Sequence, residues 1–454
     1  MHATPLISAR ELTLAVDLYE LTMLQAWWRA GFAPRAVFSL YFREMPPQRN
    51  FMLACGQHEI LARLPELGFD ADARERLAAV PALSKAFVAS LADWKFTGDV
   101  HAVPEGTPVF AQEPLLEVEA PLPEAQLLET VLMNQVHAQS VLASRAVRMK
   151  LAAAGRPVVD FSMRRAHGIE AAVHGVRAFW IAGLDATSNV LGGLHHGVPL
   201  TGTMAHSYVQ ARDDESAAFA EFWRTQSEPT LLVDTWDTLA GVDTAIRLAR
   251  EADSPLGAIR LDSGDLLALS RAARARLDAA GLASVRIIAS GGLDEHSIAA
   301  LVAANAPIDG YGVGTALGVA RDAPALELVY KLTEIDGAPR GKLSAGKQML
   351  PGRKQVYRER NGGGTVVADH LVHREESAPG TRLLEPVLRG GRRLPPLECT
   401  LDEARAHCAR EVAALPAGLR GLEAAQSPLP VHVSKRLRDM QAELRRRHPG
   451  TVEP

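Results

Sequence analysis

At 454 residues, with 47% hydrophobic and 22% charged residues, the chain has ordinary globular composition and enough apolar mass for a large core without disulfide or metal staples. Its net charge of −4 lacks the basic excess of a dedicated nucleic-acid binder, and Cys55, Cys399 and Cys408 fit neither a disulfide framework nor a zinc motif. The N-terminal MHATPLISAR lacks a signal-peptide layout and no apolar run approaches the ~18 residues of a membrane span, so a cytoplasmic protein without a membrane or nucleic-acid partner is expected.

Leu12 to Ala30 reads as one amphipathic helix, with Leu14, Leu18, Leu21 and Leu24 at helical spacing. Ala36–Phe42 alternates apolar and polar residues and reads as a strand. Residues 98–120, broken by Pro104, Pro108 and Pro114, read as a small sheet with turns. A long helical stretch runs from about Glu124 to Ala154 and stops at Gly155 before Pro157.

From about residue 156 short β-rich runs recur, most followed by helix-compatible sequence: 157–162, 198–204, 230–235, 257–263, 285–290 and 308–315. Buried strands alternating with helices imply a parallel sheet, and this many units suggests a barrel. The runs do not count cleanly to eight, so an incomplete barrel and a closed one both remain open. Residues 336–365 read as turns with short strands, and Leu401–Leu415 and Val433–Arg447 as helices.

In parallel α/β architectures the carboxyl ends of strands converge on the active site. Here those ends carry Arg164 and Arg165, then Thr203 and His206, Asp234 and Asp237, Arg260, Asp262 and Asp265, Ser290, Gly291 and Gly292, and Gly312, Gly314 and Thr315. Cations, carboxylates, a histidine and two glycine turns suit an anionic substrate with several phosphates. The turns SGGLDE (290–295) and GVGT (312–315) can bring backbone N–H groups onto phosphate oxygens, or can be ordinary strand–helix turns; neither is a Walker loop. Arg164, Arg165 and Arg260 can grip phosphate or carboxylate, while Arg260 can equally pair with Asp262 or Asp265. His206 can be structural, a general base, a metal ligand or a phosphate acceptor. The aspartates can hold Mg²⁺ around a diphosphate or stabilise a sugar cation, and Asp237 and Asp265 can instead cap helices.

The segments DLYELTM (17–23), DFSMRRAHG (160–168), GLDATSNV (183–190), GTMAHS (202–207), LLVDTWDT (231–238), IRLDSGDL (259–266), IIASGGLDE (287–295), GYGVGT (310–315) and LPGRKQVYR (350–358) resemble the nicotinate phosphoribosyltransferase family, from about Leu12 to about Arg358. The resemblance implies an irregular TIM-like α/β barrel over 131–335. It adds a second α/β domain in which 1–130 is completed by strands and helices from 336–454. It implies transfer of a phosphoribosyl group from 5-phosphoribosyl diphosphate to nicotinate in the salvage route to NAD, with Mg²⁺ as cofactor, ATP as co-substrate, and a homodimer sharing active sites.

By the same resemblance His206 is the histidine that ATP phosphorylates, Thr203 and Arg260 contact nicotinate, and Arg164, with Arg165 beside it, binds diphosphate. Tyr19, from a neighbouring subunit, and Phe161 stack on the pyridine ring. Thr315 and the glycines around it, Gly312 and Gly314, match the ribose-phosphate site, Asp262 lies near the ribose, and Gly291 and Gly292 stay substrate-binding candidates by their own turn. The metal ligands stay unassigned. Ser162 stands where the family usually has Gly. Ser188 stands where the nicotinamide-using relative has an Asp that would repel a carboxylate, so the acid is expected over the alternative, nicotinamide. A non-catalytic phosphate sensor is disfavoured by the intact polar set. A Schiff-base aldolase is disfavoured by the lack of a strand-end lysine.

Overall fold

The computed structural model describes residues 7–343 and 349–447. The chain divides into two compact units, one comprising residues up to Ser144 and from Ala325 onward, the other Arg145–Pro324.

In the first unit, Arg35–Phe42 runs near the middle of a seven-stranded antiparallel sheet, between Leu328–Ile335 and Leu116–Pro121. Seven of its eight residues are buried, so its alternating sequence is not an alternation of solvent and core. Ser39 is accommodated by donating a 2.6 Å hydrogen bond to Glu117. The single helix expected over 12–30 is two, Ala9–Leu14 and Leu18–Ala30. Asp17 holds an extended backbone at the break, and left-handed Gly31 closes the second helix. The long stretch after it is likewise split, into Leu122–Gln126 and Glu129–Ala152. Leu401–Ala413 and Lys435–Arg447 form the expected late helices.

The second unit carries a parallel sheet of β1 (Val158–Asp160), β2 (Ala186–Thr187), β3 (Thr230–Leu232), β4 (Ala258–Leu261), β5 (Arg286–Ala289) and β6 (Gly310–Val313), in the order β2-β1-β6-β5-β4-β3. Among the described residues β2 and β3 are not paired with each other. The sheet is a curled half-barrel, not the closed TIM-like form. The run 198–204 is not a strand. Its backbone meets the sheet at an isolated bridge from Leu200 to Thr187, in which the Thr187 amide donates to the Pro199 carbonyl and the Thr201 amide to the Thr187 carbonyl. β2, two residues inside GLDATSNV, gave no periodicity to find. Core residues such as Leu231, Ile259, Leu261, Ile287 and Val313 are fully buried, which fixes the strands while their polar C-terminal ends emerge at one rim. Among the described residues no helix is long and apolar enough to cross a membrane.

Candidate active site

Arg260, in β4, organises the rim. Its Nε donates to Ser290 Oγ at 2.8 Å, Nη1 to Thr203 Oγ1 at 3.0 Å and the Met204 carbonyl at 3.3 Å, and Nη2 to Asp262 Oδ1 at 2.7 Å. Only one Nη2 proton is left over. The guanidinium also lies 5.4 Å from the centroid of the Phe161 ring, a cation–π contact that holds both planes. Gly312 makes room for that ring, since a Cβ there would come within 2.4 Å of it. The guanidinium bonds to Thr203 and Met204 explain why the 198–204 run leaves the sheet: its polar end is drawn over to β4.

Asp262 receives Ser290 Oγ at 2.5 Å as well as Arg260. Burial alone would raise its carboxyl, but the hydrogen bonds from Ser290 and Arg260 and the charge of Arg260 outweigh burial and hold it below the usual carboxylate range. Its other oxygen faces His206 Nε2 at 3.7 Å. On the far side of that ring, Nδ1 lies 3.2 Å from Thr235 Oγ1. Asp234 braces the loop from below, accepting from the Asp262 amide at 2.9 Å and Ser263 Oγ at 2.6 Å.

The turns are close-packed. Gly291 (φ +87°) lies against the Asp262 carbonyl, where a Cβ would stand 1.8 Å from the oxygen, so no side chain fits. Gly292 (φ +67°) has open space where its side chain would be, and Thr315 is half-buried beyond Gly314. Arg164 and Arg165 sit exposed on a turn of 3₁₀ helix after β1, and their side chains make no hydrogen bond or ion pair among the described residues. Ser188 is exposed, anchored by its amide to the Asp160 carbonyl at 2.9 Å. Ser162 is buried on Gly318. Tyr19 lies on the helix Leu18–Ala30 of the first unit, 45% exposed. Asp237 and Asp265 take the capping role, bonding the amides of Ala240 and of Leu267 and Ala268.

The second unit thus brings together Phe161, Thr203, His206, Arg260 and Asp262. Asp234, expected among the aspartates that could hold Mg²⁺ or face a sugar cation, braces the Asp262 loop; Ser290 stood in the strand-end sequence without a role of its own, and Thr235 was missed. Their signal was position alone, as the first polar residues after apolar strands. A separate cleft of about 770 Å³ in the first unit, lined by segments of 365–367 and 416–430, carries one charged side chain, Glu423, and is not built for a polyphosphate.

Two family models match the chain: the nicotinate phosphoribosyltransferase N-terminal domain over residues 14–137 and the nicotinate phosphoribosyltransferase family over residues 157–356. The chain is 49% identical to nicotinate phosphoribosyltransferase pncB2 of Mycobacterium tuberculosis over 97% of its length and 95% of that protein's. It is 41% identical to the Bacillus subtilis nicotinate phosphoribosyltransferase over 76% and 73%. The crystal structure of human nicotinic acid phosphoribosyltransferase superposes with a TM-score of 0.81 at 28% identity, covering 94% of this chain and 99% of that one.

Proposed function

The chain belongs to the nicotinate phosphoribosyltransferase family, and from that premise we propose that it transfers the 5-phosphoribosyl group of 5-phosphoribosyl diphosphate to nicotinate in NAD salvage, coupled to ATP through a phosphorylated His206. The observation that carries the reading is the meeting of Phe161, Thr203, Arg260, Asp262 and His206 at adjacent strand ends. The nicotinate ring lies on the Phe161 face. Thr203 and the spare Arg260 proton address its carboxylate. The ring nitrogen forms a bond to C1′ as the C1′–O bond to diphosphate breaks, giving nicotinate mononucleotide and diphosphate. Asp262, held ionised, faces the positive charge that develops on the sugar. Arg164 and Arg165, uncommitted within the described residues, receive the diphosphate, and the turns at Gly291–Gly292 and Gly314–Thr315 receive the ribose phosphate.

His206 is the phosphoryl acceptor in this reading. A proton on Nδ1, donated to Thr235, leaves the Nε2 lone pair to attack the γ-phosphorus of ATP with ADP leaving. The phosphoryl group then adds negative charge at the rim, and in each turnover water attacks its phosphorus, the N–P bond breaks, inorganic phosphate leaves and the neutral imidazole is restored. Among the described residues no three His, Cys, Asp or Glu side chains are grouped to hold an ion. Mg²⁺ fits as a companion of the diphosphate, with ionised Asp262 as the nearby protein oxygen, and when bound it would screen the charge of the leaving group.

A homodimer in which the exposed Tyr19 covers the ring bound by a neighbouring copy, a reducing cytoplasmic setting, and an α/β domain built from N- and C-terminal segments complete the proposal. The relatives are named for nicotinate, and nicotinamide is not favoured. The test is product analysis with the full chain. Nicotinate should give its mononucleotide and diphosphate, faster with ATP, and nicotinamide should give little. No product from the acid, or equal rates with the amide, would overturn the reading.

A further inference from the structure

The two glycine turns follow adjacent strands, β5 and β6, and each leads into a helix: Glu295–Ala303 after the first and Thr315–Gly318 after the second. The second helix is a single turn. A segment that short has no stability of its own in water, because fixing the first turn costs more than its hydrogen bond returns. Something else must fix it.

Arg145, with a side chain only 3% exposed, does so. Its Nε donates to the Ala316 carbonyl at 3.2 Å, inside the single-turn helix, and its Nη1 lies 3.0 Å from Asp322 just beyond it. The same Nη1 binds Glu295, the first residue of the other helix, which is fully buried and also receives Arg148 Nε at 3.1 Å. Neither Arg145 nor Glu295 reaches the rim where substrates are placed, so this ion pair does no chemistry. It ties the segment behind Gly291–Gly292 to the segment behind Gly314–Thr315.

We propose that the buried Arg145–Glu295 pair is a positioning clamp that sets the spacing of the two glycine turns, and through it the grip on the ribose phosphate of 5-phosphoribosyl diphosphate. This rests on the reading of those turns as the phosphate site. Two turns closing on one phosphate need their amides placed to within a fraction of an ångström. A planar guanidinium locked on both segments gives that placement, whereas lysine's compact ammonium has no rigid fork to hold the acceptors in fixed register.

Arg145→Lys and Asp322→Asn in the full chain test it, with Thr315→Val as the control for the turn itself. The clamp predicts that Arg145→Lys raises KM for 5-phosphoribosyl diphosphate about tenfold, with KM for nicotinate within about twofold and kcat little changed. Asp322→Asn, which loosens Arg145 without removing it, should raise the same KM about two- to threefold. A merely structural role would lower the active fraction instead, so kcat per total enzyme would fall with both KM values unchanged, and that result overturns the clamp. If Arg145→Lys does not fold, Asp322→Asn decides: an unchanged KM for 5-phosphoribosyl diphosphate overturns it. An unchanged KM in Thr315→Val would sink the turn assignment itself. A raised KM in Thr315→Val with none in the other two sinks only the clamp.

Discussion

Arg358 and Arg260 each hold an aspartate, and the difference between them separates the two units. Arg358, in the first unit, chelates Asp369 through Nε at 3.0 Å and Nη2 at 2.6 Å and also donates to the Pro108 carbonyl. Both partners are sealed, at 1% and 0% side-chain exposure. Glu117 nearby is equally buried and is closed by Ser39, Lys354 and Arg374. Arg260 instead divides its donors among Ser290, Thr203, Met204 and Asp262, and leaves Asp262 (26% exposed) facing His206 (38% exposed) at an open rim. One cluster is closed off from solvent by the fold. The other is fixed in position yet has faces left for a substrate. Residue types do not tell the two apart; access does.

That comparison breaks first at Arg358. Arg358→Ala strands buried Asp369, and beside it Glu113, whose carboxyl burial and the Asp369 charge already push upward. Breaking such a pair costs about 3–5 kcal/mol, so the variant should show a steep loss of Tm, while the molecules that remain folded keep their KM for nicotinate. An unchanged Tm would erase the distinction. Arg260→Lys should do the opposite. Its planar fork and its contact with Phe161 are lost, and kcat/KM for nicotinate should fall about 100-fold with Tm within about 3 °C of the parent. Differential scanning calorimetry beside steady-state kinetics reads both.

The sequence made the site more legible than the frame around it. Strand ends advertise themselves: a fully apolar run followed by Arg-x-Asp or His needs no tertiary knowledge to be singled out, and Arg260, Asp262, Thr203 and His206 do converge. What stayed hidden depended on partners far along the chain. The run 198–204 has strand composition, yet it reaches the sheet's backbone only as an isolated bridge, and the guanidinium of a residue nearly sixty positions later holds its end. The helix expected over 12–30 is broken by Asp17, whose cap conformation no periodicity reveals. Thr235 looked like filler until the fold placed it on His206 Nδ1. LPGRKQVYR, one of the segments on which the family resemblance rested, turns out to supply Lys354 and Arg358 to the sealed cluster of the first unit. A shared motif can mark a buried framework as well as a site.

The open rim predicts a third, smaller effect at His206. His206→Ala removes the proposed phosphoryl acceptor but none of the donors on Arg260. The variant should therefore lose ATP stimulation entirely, falling roughly tenfold, to the rate the parent shows without ATP. Acid-quench detection of labelled protein after incubation with γ-labelled ATP should find none in the variant. Full ATP stimulation without His206 would return that residue to a structural role.

The smallest effect sharpens the closed side of the comparison, because Glu20 is a buried group that the fold leaves half-satisfied. One of its oxygens takes both the amide and the hydroxyl of Thr130, while Oε2 is buried without a partner. Burial pushes the carboxyl up to about 7, against the hydrogen bonds from Thr130, which favour the ionised form. In the unfolded chain the same group releases its proton near 4.5. Between those values the folded state binds more protons than the unfolded one, so stability falls as pH rises through that window and levels off above about 7. The contribution should be on the order of 1 kcal/mol once screening is allowed for. Urea midpoints measured from pH 5 to 8 should slope downward in the parent and flatten in Glu20→Gln, whose neutral amide has no proton to lose. Parallel slopes in the two proteins would mean that Glu20 is already ionised in the fold, and that a buried carboxylate can be satisfied by Thr130 alone.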